Sequence, residues 1–116
     1  MKTFLAVFTG TPASMATWND LSEAERSKRQ KEGIAAWHAW ADKHKGAIAE
    51  MGAPLGKTKR ITPSGIADIK NNMTAYTVVN AESHEAAAKL FVNHPHFTIF
   101  PGDGVEVMEC LSIPTM

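Results

Sequence analysis

An α+β domain with an antiparallel sheet is predicted by three observations. Apolar strand-like runs stand near both ends of the chain, at residues 3–8 and 105–111. Two segments with helical spacing, opened by the capping residues Ser22 and Ser83, alternate with such runs. The length of 116 residues, with no evident linker or repeat, fits one domain spanning 1–116.

Residues 3–8 place Phe4, Ala6 and Phe8 on one side of a strand and Leu5 and Val7 on the other. Apolar residues on both faces predict a central strand covered from both sides. Gly10-Thr11-Pro12 ends it. A long helix follows. Ser22 and Glu25 have capping-box spacing, and Glu23 places negative charge in the first turn. Ile34, Trp37, Ala41, His44, Ile48 and Met51 recur at spacings of three and four, with Trp40 and Ala47 widening the face. The pattern carries the helix to Met51, weakened at Gly46 and capped by Gly52 before Pro54. The charges of residues 26–32 form a solvated face.

Residues 57–62 are expected as a second strand at a sheet edge, where Lys57, Lys59 and Arg60 oppose edge-to-edge pairing. Pro63-Ser64-Gly65 marks a turn, and residues 66–72 favour no single element. A third strand covers 73–80. Ser83 caps a second helix whose core stripe is Ala87, Leu90 and Phe91. That helix stops at His94, because the residue before a proline avoids helical geometry. Gly102-Asp103-Gly104 then turns the chain into a last strand with alternating Val105, Val107, Glu109 and Leu111. The order βαββαβ is ferredoxin-like. Both helices should cover one sheet face. A homodimer packed sheet to sheet, a dimeric α+β barrel, would cover the other.

Composition narrows the function classes. Twelve basic residues balance twelve acidic ones, so no net field attracts nucleic acid or an anionic membrane. Cys110 is the one cysteine and cannot form an internal disulfide, which favours a reducing compartment. Its place in an apolar run suggests a buried, inert thiol. The apolar run at residues 4–8 is shorter than a signal core, and no stretch is long enough to cross a bilayer. A cytoplasmic protein is the expectation.

The chain resembles the YCII-related family, including its DGPF branch, over nearly its whole length. The resemblance is carried by residues 3–8, by Gly46-Ala47-Ile48-Ala49-Glu50-Met51-Gly52-Ala53-Pro54, by residues 75–83 and by Val105-Glu106-Val107-Met108-Glu109. It implies a ferredoxin-like fold that dimerises as an α+β barrel, with a small-molecule cavity near the sheet. Most of that family has no assigned function. Its members carry a histidine early in the first helix and an aspartate before a proline after the second helix, a pair proposed as an active site. Here Ala35 stands at the first position, with His38 one turn on, and His94 stands at the second. Ser64-Gly65-Ile66 replaces the Asp-Gly-Pro signature. The family pair is therefore altered, and no mechanism carries over.

Among the residues themselves, His94 is the leading candidate acid or base, because imidazole exchanges protons near neutrality. Asp68 and Asp103 are its candidate partners. The competing reading is a helix-ending histidine bound to nearby backbone. His94 and His96 have a spacing that suits metal ligation, with Asp103, Glu106 or His38 as a third ligand, but no cysteine or acidic cluster completes a site. Neither a metal nor another cofactor is expected. Trp37, His38, Trp40, His44 and His96 are the candidate ligand-binding residues; the alternative for the tryptophan stripe is core packing. Trp18 is placed at the cavity mouth or the dimer interface, and Asn71 and Asn72 either orient a ligand or make a turn. Phosphate-loop, dinucleotide and nucleophile-elbow motifs do not occur.

The expected protein is thus a homodimer that binds a small organic molecule, running cofactor-free isomerisation or elimination on a cyclic or aromatic-derived substrate if it is an enzyme. Two alternatives stand beside it: a non-catalytic ligand-binding or accessory dimer, and a monooxygenase of the dimeric α+β barrel type.

Overall fold

A computed structural model describes residues 1–114. The chain opens with strand β1 (Lys2–Thr9), followed by α1 (Pro12–Asn19) and the long helix α2 (Glu23–Lys43). Next come β2 (Ile48–Pro54), β3 (Thr58–Thr62), β4 (Gly65–Ile69) and β5 (Met73–Ala81). Helices α3 (His84–Lys89) and α4 (Pro95–Thr98) precede β6 (Gly104–Glu109). Strands β2-β5-β1-β6 form one antiparallel sheet, while β3 and β4 pair only with each other. Counting the four sheet strands in chain order, the arrangement is 2-3-1-4 with helices on one face. This is the ferredoxin-like α+β fold and the fold class of the dimeric α+β barrels.

Caps and faces follow the sequence. The Ser22 and Ser83 hydroxyls accept from the backbone N–H groups of Glu25 and Ala86. Phe4, Ala6 and Phe8 are fully buried on the helix side. There Phe8 meets Trp37 and Phe91 at ring-centroid distances of 5.0 and 5.9 Å. Their cross-strand partners Val79, Thr77 and Ala75 share that face. The opposite face carries Leu5, Val7, Tyr76, Val78 and Met108, by the same register. Among the described residues, no helix covers it.

Three expectations are corrected. The first helix ends at Lys43 with His44 as its C-cap, and residues 48–54 are a strand. The three-and-four spacing of Ile48 and Met51 resembles a helix, but Gly46, Gly52 and Pro54 weaken one, and the free edge of β5 supplies a ladder instead. Gly52 sits at φ 74° in an irregular stretch of β2. A Cβ there would lie 1.8 Å from the Tyr76 carbonyl oxygen, so it is a bulge glycine rather than a helix cap. Residues 57–62 do not edge the main sheet; they belong to the hairpin made with residues 65–69. Cys110 lies just past β6 and is exposed, so the buried thiol is not observed. Helix α1 was not foreseen; Pro12 starts it and the Thr11 hydroxyl accepts from the Ser14 N–H.

Candidate active site

A cavity of about 880 Å³ opens between α1, α2, the strands β2 and β5, and the segment after α4. That volume lies in the range of small-molecule sites. Its lining is mainly apolar. Trp37, His38, Asn72, His96 and Phe100 are the members with aromatic or polar chemistry on which the site turns. Its rim includes Met15, Ile34 and Met51, each close to half exposed.

His96 is the titratable side chain most firmly placed at this cavity. It is 8% exposed and sits in the first turn of α4. Its Nε2 lies 2.7 Å from the Thr9 carbonyl oxygen. A carbonyl only accepts, so Nε2 carries the proton, and in the neutral ring Nδ1 keeps its lone pair. The same carbonyl accepts from the Asp103 N–H at 2.9 Å, which anchors it. Gly102 lies against the ring; a Cβ there would come within 2.2 Å of Nε2. Burial lowers the His96 pKa below the usual histidine value, offset in part by the Thr9 bond and the Asp103 charge. The ring is therefore a neutral base at physiological pH.

His94, the leading candidate acid or base, lies in the core rather than at the cavity. It is fully buried. Phe8, Trp37, Trp40 and Phe91 surround it at ring distances of 5.0, 4.5, 4.6 and 5.9 Å. Its Nδ1 accepts from the His96 N–H at 3.0 Å, so His94 is the N-cap of α4. Asn93 before it adopts φ 59°, a left-handed conformation that asparagine tolerates. The neutral ring must carry its proton on Nε2, which has no hydrogen-bond partner among the described residues. The edge-to-face tryptophans offer only the weaker contact of an N–H with a π face. Desolvation, followed by the charges of His96 and His44, lowers its pKa to about 4. His94 stands behind the cavity wall, not among its lining residues.

Neither expected carboxylate reaches His94. Asp68 lies on the hairpin, exposed, with Lys59 Nζ at 2.6 Å. Asp103 accepts from the Thr11 N–H and the Ser14 hydroxyl, both at 2.5 Å, which ties α1 to the body of the protein. These bonds hold the Asp103 pKa below the ordinary carboxylate range, the Ser14 bond most. Trp40 is core: it is buried, and its indole N–H donates to the Leu90 carbonyl at 2.8 Å. His44 packs on Trp40 at 5.4 Å, away from the cavity. Trp37, His38 and His96 do line it, as do Asn71 and Asn72. Trp18 packs against Phe100 in a tilted arrangement at 6.0 Å, at the cavity's α1 side. Among the described residues, no group of three or more histidine, cysteine, aspartate or glutamate side chains is placed to hold a metal ion.

Sequence reasoning missed Gly33 and Phe100. Gly33 is buried in α2, and a Cβ there would lie 2.4 Å from the Phe100 ring. A lone glycine in a strong helical pattern was the available signal, since it weakens a helix unless packing needs it. Gly33→Ala should push Phe100 toward the cavity. The overpacking penalty of about 1–3 kcal/mol should outweigh the roughly 1 kcal/mol gain in helix propensity. A lower urea midpoint would show it; a midpoint raised above wild type would overturn it.

Fold and cavity together define a ferredoxin-like α+β protein with a site of small-molecule size. No family model matches the chain, and no curated protein matches it. Among solved structures it is similar to 5-chloro-2-hydroxyhydroquinone dehydrochlorinase (TftG) from Burkholderia phenoliruptrix AC1100, in complex with 2,5-dihydroxybenzoquinone. The TM-score is 0.54 and the identity 18%, over 91% of this chain and 90% of that one. At that identity the likeness is one of fold. No helix among the described residues is long and apolar enough to cross a membrane.

Proposed function

We propose that this protein is a YCII-like homodimer that binds a cyclic or aromatic-derived organic molecule and catalyses proton-transfer chemistry on it, of the elimination or isomerisation type. The observation that carries this reading is His96. It is a neutral imidazole, locked in one tautomer by the Thr9 carbonyl, at an apolar cavity walled by Trp37 and Phe100. A flat ring fits between such walls, and the Nδ1 lone pair can take a proton from it. In an elimination, that proton leaves, its electron pair forms a double bond, and the leaving group departs with its own pair. The dehydrochlorinase of similar fold is named for a reaction of this type, and its bound quinone is a ring of suitable size.

The test is direct. 2,5-Dihydroxybenzoquinone should quench tryptophan fluorescence saturably, and 5-chloro-2-hydroxyhydroquinone should release chloride above the uncatalysed rate. Saturable quenching without chloride release would favour the non-catalytic ligand-binding dimer. No quenching by either compound would remove this substrate class.

The uncovered sheet face supports the dimer reading. Phe4 and Phe8 are packed under the helices, so the partly exposed Leu5, Val78 and Met108 are the apolar residues left for a partner, with Glu106 on the same face. Light scattering should give twice 12.6 kDa. Leu5→Glu should return the protein to a monomer with helix content unchanged. A wild-type monomer at micromolar concentration would defeat the dimer reading.

A further inference from the structure

The hairpin β3–β4 is not accounted for by the fold of one protomer. It pairs with no other strand. Its cross-strand pair Ile61 and Ile66 is 73% and 72% exposed. Its one ion pair among the described residues, Lys59–Asp68, is exposed at both ends, and such pairs contribute about 1 kcal/mol at most. A two-stranded hairpin standing alone in water is marginal. The radius of gyration, 16.2 Å, exceeds the roughly 13 Å of a compact chain this long, as an arm projecting from the body requires.

Charge indicates what covers it. Residues 57–70 hold four basic side chains and one acidic; the residues after 80 hold five acidic and one basic. Two of the acids lie on β6, exposed and without an ion-pair partner among the described residues: Glu106 on the uncovered face beside Val7, and Glu109 on the helix face beside Phe4, so both flank the β6 edge. The sheet order β2-β5-β1-β6 puts this acidic strand at one edge and the strands that carry the hairpin, β2 and β5, at the other. When two such sheets pack face to face about a two-fold axis along the strands, the β2 edge of each lies over the β6 edge of the other. The basic arm of each protomer is then led to the acidic edge of its partner, twice per dimer.

We propose that the β3–β4 hairpin is a dimer arm. Lys57 and Arg60 meet the acidic β6 edge of a second copy of this chain, and Ile61 and Ile66 are buried against that copy. The inference rests on the homodimer proposed above and adds which surfaces hold it together and in which orientation.

The test is a charge swap between subunits. An arm-reversed chain (Lys57→Glu with Arg60→Glu) and an edge-reversed chain (Glu106→Lys with Glu109→Lys) should each dimerise about tenfold or more weakly than wild type. Circular dichroism should show both folded, since all four positions are exposed. Mixed together, the two chains should form a heterodimer, because both arm contacts then join opposite charges. Ile61→Ser with Ile66→Ser should weaken the wild-type dimer without changing the circular dichroism spectrum. Wild-type-like dimers from both charge variants, with statistical mixing, would overturn the arm while leaving the dimer intact. A wild type that is monomeric would remove both.

Discussion

Replacing His94 with alanine is expected to destabilise the protein by about 3 kcal/mol, since removing a buried ring leaves a cavity its neighbours cannot fill. The ring is fully enclosed by four aromatic side chains. It also caps α4 through the His96 N–H, and a lost cap alone costs about 1 kcal/mol. The melting temperature should fall by roughly 10 °C. The same burial makes stability depend on pH. The folded-state pKa is depressed to about 4, below the unfolded value near 6.5. Between those values the unfolded chain binds more protons. The stability contribution is therefore full above about pH 6.5 and is lost as pH falls toward 4, by up to about 3 kcal/mol. His94→Leu should flatten that part of the profile. Urea titrations at stepped pH would measure both effects. A His94→Ala protein with an unchanged melting temperature would show that the ring is not structural.

His96→Gln is expected to leave the fold intact and to remove about a hundred-fold or more of any turnover, the usual contribution of a general base. The glutamine amide can still donate to the Thr9 carbonyl but offers no basic nitrogen. Gly102→Val should act on the same ring from the other side, because a Cβ at 102 occupies the place of the imidazole. The acid limb of kcat/KM should lie below pH 6.5, since burial lowers the His96 pKa. Asp103→Asn should move that limb further toward acid, because the carboxylate charge raises the pKa of His96. Chloride release from the chlorinated hydroxyhydroquinone is the readout. A His96→Gln protein as fast as wild type, or an acid limb unmoved in Asp103→Asn, would exclude His96 as the base.

Local chemistry carried much of the fold. The apolar alternation of residues 3–8 and the caps Ser22 and Ser83 are each written in a few adjacent residues, and each stands in the structure as read. The second helix, expected to run to His94, ends at Lys89 instead, and Pro95 opens α4 with His94 as its N-cap. The strand at 48–54 was not legible, because it depends on the free edge of β5, a partner 21 to 31 residues away. Its own residues repeat at helical spacing. The isolated hairpin was hidden for a related reason: a strand's neighbours are not stated in its sequence.

The candidate site divides in the same way. The sequence alone singled out the pair His94 and His96, the aromatic face of Trp37 and Trp40, and the ferredoxin-like order that places them near one another. Which histidine faces the cavity was decided by the tertiary structure. A two-residue step across Pro95 turns His94 into the aromatic core and His96 toward the Thr9 carbonyl, 87 residues away in the chain. Burial and hydrogen bonding, not residue type, set the pKa and tautomer of each ring, and both come from distant segments that only folding brings together.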